Sequence, residues 1–164
     1  MFKKLTISGI YEAGLWEDTH TKIIGIVDPL SKRVHTTKPY HVEEFHDIDE
    51  AIERFIPATI ENVENTLNFS KSFTDDDKVL IHCQAGISRS TAVAILVLIQ
   101  HGSSIEDAFK IVYDVRPVMN PNKLLLKFGD SVLNLGGELV NYYEKWAIEK
   151  KTSYTKFAGQ TWYM

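Results

Sequence analysis

The chain of 164 residues contains one cysteine, which excludes an internal disulfide and with it the disulfide-rich secreted scaffolds. Its six histidines show no metal-ligand spacing and have only that one thiol to join them, so neither a metal nor another cofactor is expected. Five prolines and nine glycines are thinly spread. No Pro/Gly/Ser tract, linker or internal repeat interrupts the chain, and one domain with a sizeable core follows. Basic residues are not in excess: Lys and Arg number 18 against 22 for Asp and Glu, a formal charge of -4. Nucleic-acid and anionic-membrane surfaces are therefore not expected partners. The longest apolar run, Ala92–Ile99, is too short to cross a bilayer and suits a core helix. Met1–Gly9 lacks the apolar core and cleavage pattern of a secretory signal, so the expected location is cytoplasmic, where a lone thiol stays reduced.

What is present centres on that thiol. Cys83 follows the apolar strand-like segment Val79–His82 and precedes a short loop, Gln84-Ala85-Gly86-Ile87-Ser88, closed by Arg89. Five residues between Cys and Arg suffice to curl the backbone into a ring whose N–H groups point inward, a nest for a tetrahedral anion. The next segment, Ser90–Gln100, reads as a buried helix, and its unpaired N-terminal N–H groups and dipole would face the same anion. A thiol at a helix N-terminus beside a guanidinium ionises at roughly 3.5 to 7.5 rather than near ~8.5, which makes it a nucleophile at neutral pH. Arg89 can grip two phosphoryl oxygens at once, as the point charge of a lysine cannot. Gly86 permits a positive φ, and the Ser90 hydroxyl can donate to the sulfur. A solitary cysteine is more often a small buried hydrophobe, but His82 before it and Arg89 six positions after it reverse that reading. His82 is expected to orient the loop and tune the thiol, not to act as the acid.

His82-Cys83-(x5)-Arg89-Ser90 resembles the signature of the cysteine-dependent protein tyrosine phosphatases, and Ala85–Ser90 is most similar to the dual-specificity branch, with His46-Asp47-Ile48 resembling its bacterial and phage-type form. The likeness extends loosely from Ile7 to about Gly137. It implies a single α/β domain over residues 1–150, with a central, mostly parallel or mixed sheet of four to five strands flanked by helices. Residues 151–164 form a tail of unassigned role. It also implies a phosphoprotein phosphatase that hydrolyses phosphotyrosine, and phosphoserine or phosphothreonine as well, through a cysteinyl-phosphate, with a phosphorylated protein as partner. The acid that protonates the leaving group belongs on a loop upstream of the signature. His46-Asp47-Ile48 resembles that acid loop, which makes Asp47 the choice and Asp49, two residues on, the alternative. Arg116-Pro117 and Asn120-Pro121-Asn122 resemble a segment that supports the loop in the family, although Pro-Asn before a helix is also ordinary capping chemistry. The loop interior lacks the lysine expected for a phosphoinositide head group, and no long aromatic recognition loop is evident. A protein phosphomonoester in a shallow pocket is thus favoured over a non-protein phosphomonoester. A noncatalytic phosphate-binding module and a rhodanese-like sulfurtransferase are the competing classes, and nothing in the sequence specifies an oligomeric state.

The remaining pattern predicts strands over 5–11, 22–28 and 41–45 and a central strand over 79–82. Pro57 is expected to open a helix reaching about Lys71, with Ile60, Val63 and Leu67 on one face. A further helix, capped by Ser104, should run to Arg116 before Pro117. Helices from Asn122 to about Leu135 and from Glu138 to Lys150 complete the prediction, before a tail carrying Tyr154, Phe157, Trp162 and Tyr163.

Overall fold

Strands β1 (Lys4–Ser8), β2 (Lys22–Val27), β3 (Tyr40–Glu44) and β4 (Lys78–His82) form one sheet in the order β1-β4-β2-β3, and every neighbouring pair is parallel. The structure is a computed structural model describing the backbone of residues 1–161 and the side chains of residues 1–151. Ile23, Ile24, Ile26 and Val27 of β2 and Val79, Leu80 and Ile81 of β4 are inaccessible to solvent. A parallel sheet covered on both faces requires such unbroken apolar strands. The tyrosine and charged residues of β3 suit an edge, and this strand is only half-buried.

The helices are α1 (Ile10–Trp16), α2 (Ile60–Ser70), α3 (Arg89–Gln100), α4 (Ile105–Val115), α5 (Lys123–Val132) and α6 (Glu138–Thr161). α3 is buried at every position from Arg89 to Leu98, as an all-round apolar helix must be. It packs on the sheet and on α2, α4 and α5. Three helices start on side-chain caps: Thr59 accepts the Asn62 N–H at 3.3 Å, Ser104 that of Asp107 at 3.1 Å, and Asn122 that of Leu125 at 3.0 Å. Among the described residues no helix is long and apolar enough to cross a membrane.

The single-domain α/β architecture is the expected one, and the strand count settles at four, all parallel. Several boundaries differ. The first strand stops at Ser8, and Ile10 and Tyr11 belong to α1, where Glu12 reaches back to accept the Gly9 N–H at 3.4 Å. α2 starts three residues after Pro57 because Thr59 and Asn62 cap each other, and Ile60 is exposed while Val63 and Leu67 are buried. α5 ends at Val132, where Asn134, Gly136 and Gly137 adopt positive φ in a turn.

α6 continues unbroken past Lys150, so no change of secondary structure marks the expected boundary at 150/151. Its first turn is pinned by Asp130 of α5, which accepts the N–H groups of Gly137, Leu139 and Val140 at 2.7, 2.9 and 3.2 Å. The carboxylate thus takes up donors that a helix start leaves unpaired. Tyr142 and Trp146 then dock on Phe109 of α4, with ring centroids 4.9 and 5.5 Å away. The aromatic residues of the tail lie outside the described side chains, and Trp162 and Tyr163 lie outside the described residues altogether.

Candidate active site

β4 ends in the middle of the sheet, and its last residues deliver Cys83 to the carboxyl edge, where ligands of parallel α/β sheets gather. The Cys83 side chain is buried. Its Sγ lies 3.2 Å from the Gly86 N–H, which donates to it, and 3.2 Å from Ser90 Oγ. Gly86 has φ +72°, and a Cβ there would meet the Ser8 carbonyl carbon at 2.5 Å and the Gly9 nitrogen at 2.6 Å. The turn therefore needs glycine both for its backbone angle and for its closeness to the end of β1.

All five loop carbonyls are engaged from outside. Gln84 O accepts from Ile10 N–H at 3.1 Å, Ile87 O from Asn120 N–H at 2.8 Å, and Ser88 O from Asn122 N–H at 3.1 Å. Arg116 serves the other two, donating from Nη2 to Ala85 O at 3.2 Å and from Nε to Gly86 O at 2.9 Å. Because a trans peptide points its N–H opposite its C=O, five carbonyls engaged from outside turn the N–H groups of Ala85 through Arg89 to the other side of the loop, where that of Gly86 reaches the sulfur. The ring expected from sequence is thus held open by groups outside it. Arg116, Asn120 and Asn122 are part of that support, and Arg116 is itself paired with Glu12 at 3.2 Å.

Ser88 occupies the N-cap position of α3 but makes no cap bond. Its Oγ donates instead to Asp47 Oδ1 at 2.7 Å, leaving the first N–H groups of α3 without a side-chain acceptor. Asp47 Oδ1 also accepts from Asn122 Nδ2 at 2.9 Å, whereas Oδ2 has no hydrogen bond among the described residues. The loop carrying Asp47 is closed on itself: His46 N–H donates to Ile56 O at 2.7 Å and Ile56 N–H donates to His46 Nδ1 at 2.8 Å. Asp49 lines the same cleft but joins neither Ser88 nor Asn122.

Arg89 is buried. Its Nη1 donates to Asp28 Oδ1 at 2.8 Å and to Phe45 O at 2.5 Å, from the ends of β2 and β3. Its Nε is the one buried side-chain donor without an acceptor among the described residues, a costly state unless an anion completes it. His82, also fully buried, has its pKa pushed down to about 4 by burial, so the ring is neutral near pH 7. Nδ1–H donates to Cys83 O at 3.3 Å, which leaves Nε2 to accept the Tyr40 O–H at 2.7 Å. His82 therefore acts on the loop through hydrogen bonds and carries no charge to the thiol. Gly25, beside His82 in the sheet, makes room for this pair, since a Cβ there would lie 2.6 Å from both Nε2 and the tyrosine oxygen.

The structure brings Cys83, Gln84, Ala85, Ile87, Ser88, Arg89, Asp47 and Asp49 to one cleft of about 460 Å³. Sequence reasoning missed Asp28, Tyr40, Gly25, Lys123 and Tyr143. Asp28 and Gly25 appear in sequence only as part of a strand and its end, Lys123 only as the residue after Asn120-Pro121-Asn122, and Tyr40 and Tyr143 lie far from the signature with no motif around them.

Residues 20–129 match the sequence model of the dual specificity phosphatase catalytic domain. Human dual specificity protein phosphatase 16 is 29% identical over 114 residues, covering 66% of this chain and 15% of that protein. Human dual specificity protein phosphatase 8 is 32% identical over 95 residues, covering 57% of this chain and 13% of that protein. The chain thus spans about a sixth or less of the length of these curated relatives. Among solved structures, human DUSP28 superposes with a TM-score of 0.63 at 20% identity, covering 80% of this chain and 94% of that one; this is a likeness of fold. The matched residues include Asp28, Asp47, the whole loop from Cys83 to Arg89, and Asn122, and the chain belongs to the dual specificity phosphatase catalytic domain family.

Proposed function

We propose that this chain is a phosphoprotein phosphatase that hydrolyses phosphotyrosine, and phosphoserine or phosphothreonine, through a cysteinyl-phosphate. One observation carries the reading: the Cys83 sulfur, which accepts the Gly86 N–H, shares one cleft with Arg89, whose buried Nε has no acceptor among the described residues, and with Asp47. In the first step the thiolate attacks phosphorus and an S–P bond forms. As the O–P ester bond breaks, the proton on Asp47 passes to the leaving oxygen. In the second step Asp47, now a carboxylate, takes a proton from water, whose oxygen attacks phosphorus. The S–P bond breaks, inorganic phosphate leaves, and the Ser90 hydroxyl donates to the departing sulfur. The ring N–H groups and Arg89 stabilise charge on the equatorial oxygens throughout. Such a thiolate needs a reducing compartment, which supports cytoplasmic residence.

The test is turnover of an aryl phosphate and mass spectrometry of the quenched enzyme. A phosphoryl adduct on Cys83 in the native protein, with turnover abolished in Cys83→Ser, supports the proposal. Phosphate or vanadate binding without turnover by the native chain would convert the reading to a noncatalytic phosphate-binding module.

A further inference from the structure

The cleft has two chemically different levels. Its floor is the sulfur and the amide ring. Its sides are mixed: Ile48, Ile87, Pro121 and Tyr143 bring apolar surface to them, beside the polar Asp47, Asp49, Asn120 and Lys123. Ile48, Ile87 and Pro121 belong to the acid loop, the phosphate loop and the start of α5; Tyr143 comes from α6, beyond residues 20–129 that match the family, so its contribution is legible only from this chain's own structure.

Tyr143 is held on a fixed element. Asp130 pins the first turn of α6, and Leu139 there is fully buried. Tyr142 and Trp146, on either side in sequence, dock on Phe109. The Tyr143 ring is itself half-buried, 6.2 Å from that of Trp146. Burial raises its hydroxyl above the ordinary phenol range, so the side chain meets a phosphate ester uncharged. The neighbouring cation, Lys123, is paired with Glu144 at 3.1 Å and adds little net charge at this wall. Asp49 also lines the cleft near Tyr143, so the side formed by α6 is aromatic and without net positive charge, unlike the floor.

We infer that Tyr143 is a specificity-determining residue whose ring packs against the phenyl ring of phosphotyrosine, so that this cleft favours aryl over alkyl phosphomonoesters. The inference rests on the phosphatase reading above and narrows its substrate class. A phosphotyrosine sets a flat apolar ring between the phosphoryl group and the peptide backbone, and that ring gains contact with the tyrosine, the isoleucines and the proline. A phosphothreonine is shorter and brings only a methyl group to the same level. Offset or edge-to-face aromatic contact of this kind corresponds to a preference of about three- to tenfold.

The experiment compares kcat/KM on one peptide carrying either phosphotyrosine or phosphothreonine at the same position, for the native chain, Tyr143→Phe and Tyr143→Leu. Tyr143→Phe should keep the native ratio of the two constants. Tyr143→Leu, which retains apolar bulk and so protects the fold, should lower the ratio by about three- to tenfold, chiefly through KM for the phosphotyrosine peptide. An unchanged ratio in Tyr143→Leu, or an equal fall on both peptides, overturns the assignment and leaves the phosphatase reading standing. Absence of turnover by the native chain on both peptides overturns the phosphatase reading itself. In that case, binding of the phosphotyrosine peptide that is equally tight in the native chain and in Tyr143→Leu overturns the assignment as well, and weaker binding in Tyr143→Leu upholds it.

Discussion

Asn122 holds Asp47. Its Nδ2 donates to Asp47 Oδ1 at 2.9 Å and to Ile48 O at 3.2 Å, while its own Oδ1 accepts the Leu125 N–H at 3.0 Å. One side chain therefore caps α5 and fixes the loop that carries Asp47. Ser88 meets the same carboxylate oxygen from the phosphate loop at 2.7 Å, so the helix start, the acid and the anion cradle are coupled through two short side chains.

Replacing Asn122 should separate these two roles. Asn122→Ala loses both, with a stability cost of about 1 kcal/mol for the cap and a fall in kcat of about tenfold or more from a loosened acid. Asn122→Ser restores the cap acceptor but is too short to reach Asp47, so stability recovers while kcat stays low. Denaturant unfolding and turnover measured on both variants check this; parallel recovery of stability and rate in Asn122→Ser would refute it.

The two candidate acids are distinguished by their surroundings. Asp47→Asn should lower kcat by roughly 10² to 10⁴, and the loss should be larger for esters with poor leaving groups, which most need the proton. Asp49→Asn should leave kcat within a few-fold of native, because Asp49 is bound by neither Ser88 nor Asn122. A leaving-group series on both variants is the measurement, and a larger loss in Asp49→Asn would transfer the role.

Gly86→Ala tests the geometry of the cradle. The residue sits at φ +72°, and the added methyl would lie 2.5 Å from the Ser8 carbonyl carbon. The left-handed backbone alone costs about 1 kcal/mol in a non-glycine residue, and backbone atoms cannot yield the missing space cheaply. Phosphate or vanadate affinity should fall with stability, read by ligand-induced shifts in Tm. Native anion affinity in this variant would show that the amide ring does not depend on the turn.

Stability should fall as the solution is acidified. His82 ionises near pH 4 in the folded protein, against an ordinary value of 6.5. Between those values the unfolded chain binds more protons, so stability rises with pH across this window and is lost as pH drops through it. The full displacement corresponds to about 3 kcal/mol at ~1.36 kcal/mol per unit. His20, lowered chiefly by its burial, acts in the same direction. Unfolding free energies of native chain and His82→Gln between pH 7 and 4 give the check; the variant should have the shallower dependence, and identical slopes would contradict the buried neutral imidazole.

Legibility in the sequence followed locality. The segment from His82 to Ser90 could be read because strand end, nucleophile, amide ring, guanidinium and helix start are contiguous, and each residue type has one chemistry that suits its place. β2 and β4 were evident because burial on both faces demands an unbroken apolar run. α1 left no such trace: Tyr11 and Leu15 are 92% and 80% exposed, and Ala13 is its one buried residue. With no apolar stripe at helical spacing, its first residues read as a continuation of the strand before it.

The sequence by itself thus determined that a single thiol would sit in a short loop at the junction of a strand and a helix, because local backbone geometry and side-chain chemistry are written in neighbouring residues. Only the tertiary structure decided what steadies that junction. Asp28 and the Phe45 carbonyl on Arg89, Tyr40 on His82, Arg116 on the loop carbonyls, Asn122 on Asp47 and Tyr143 at the wall all arrive from other elements. Their side chains are ordinary in sequence and acquire a role from where parallel strands and packed helices end, which depends on the burial of the whole core.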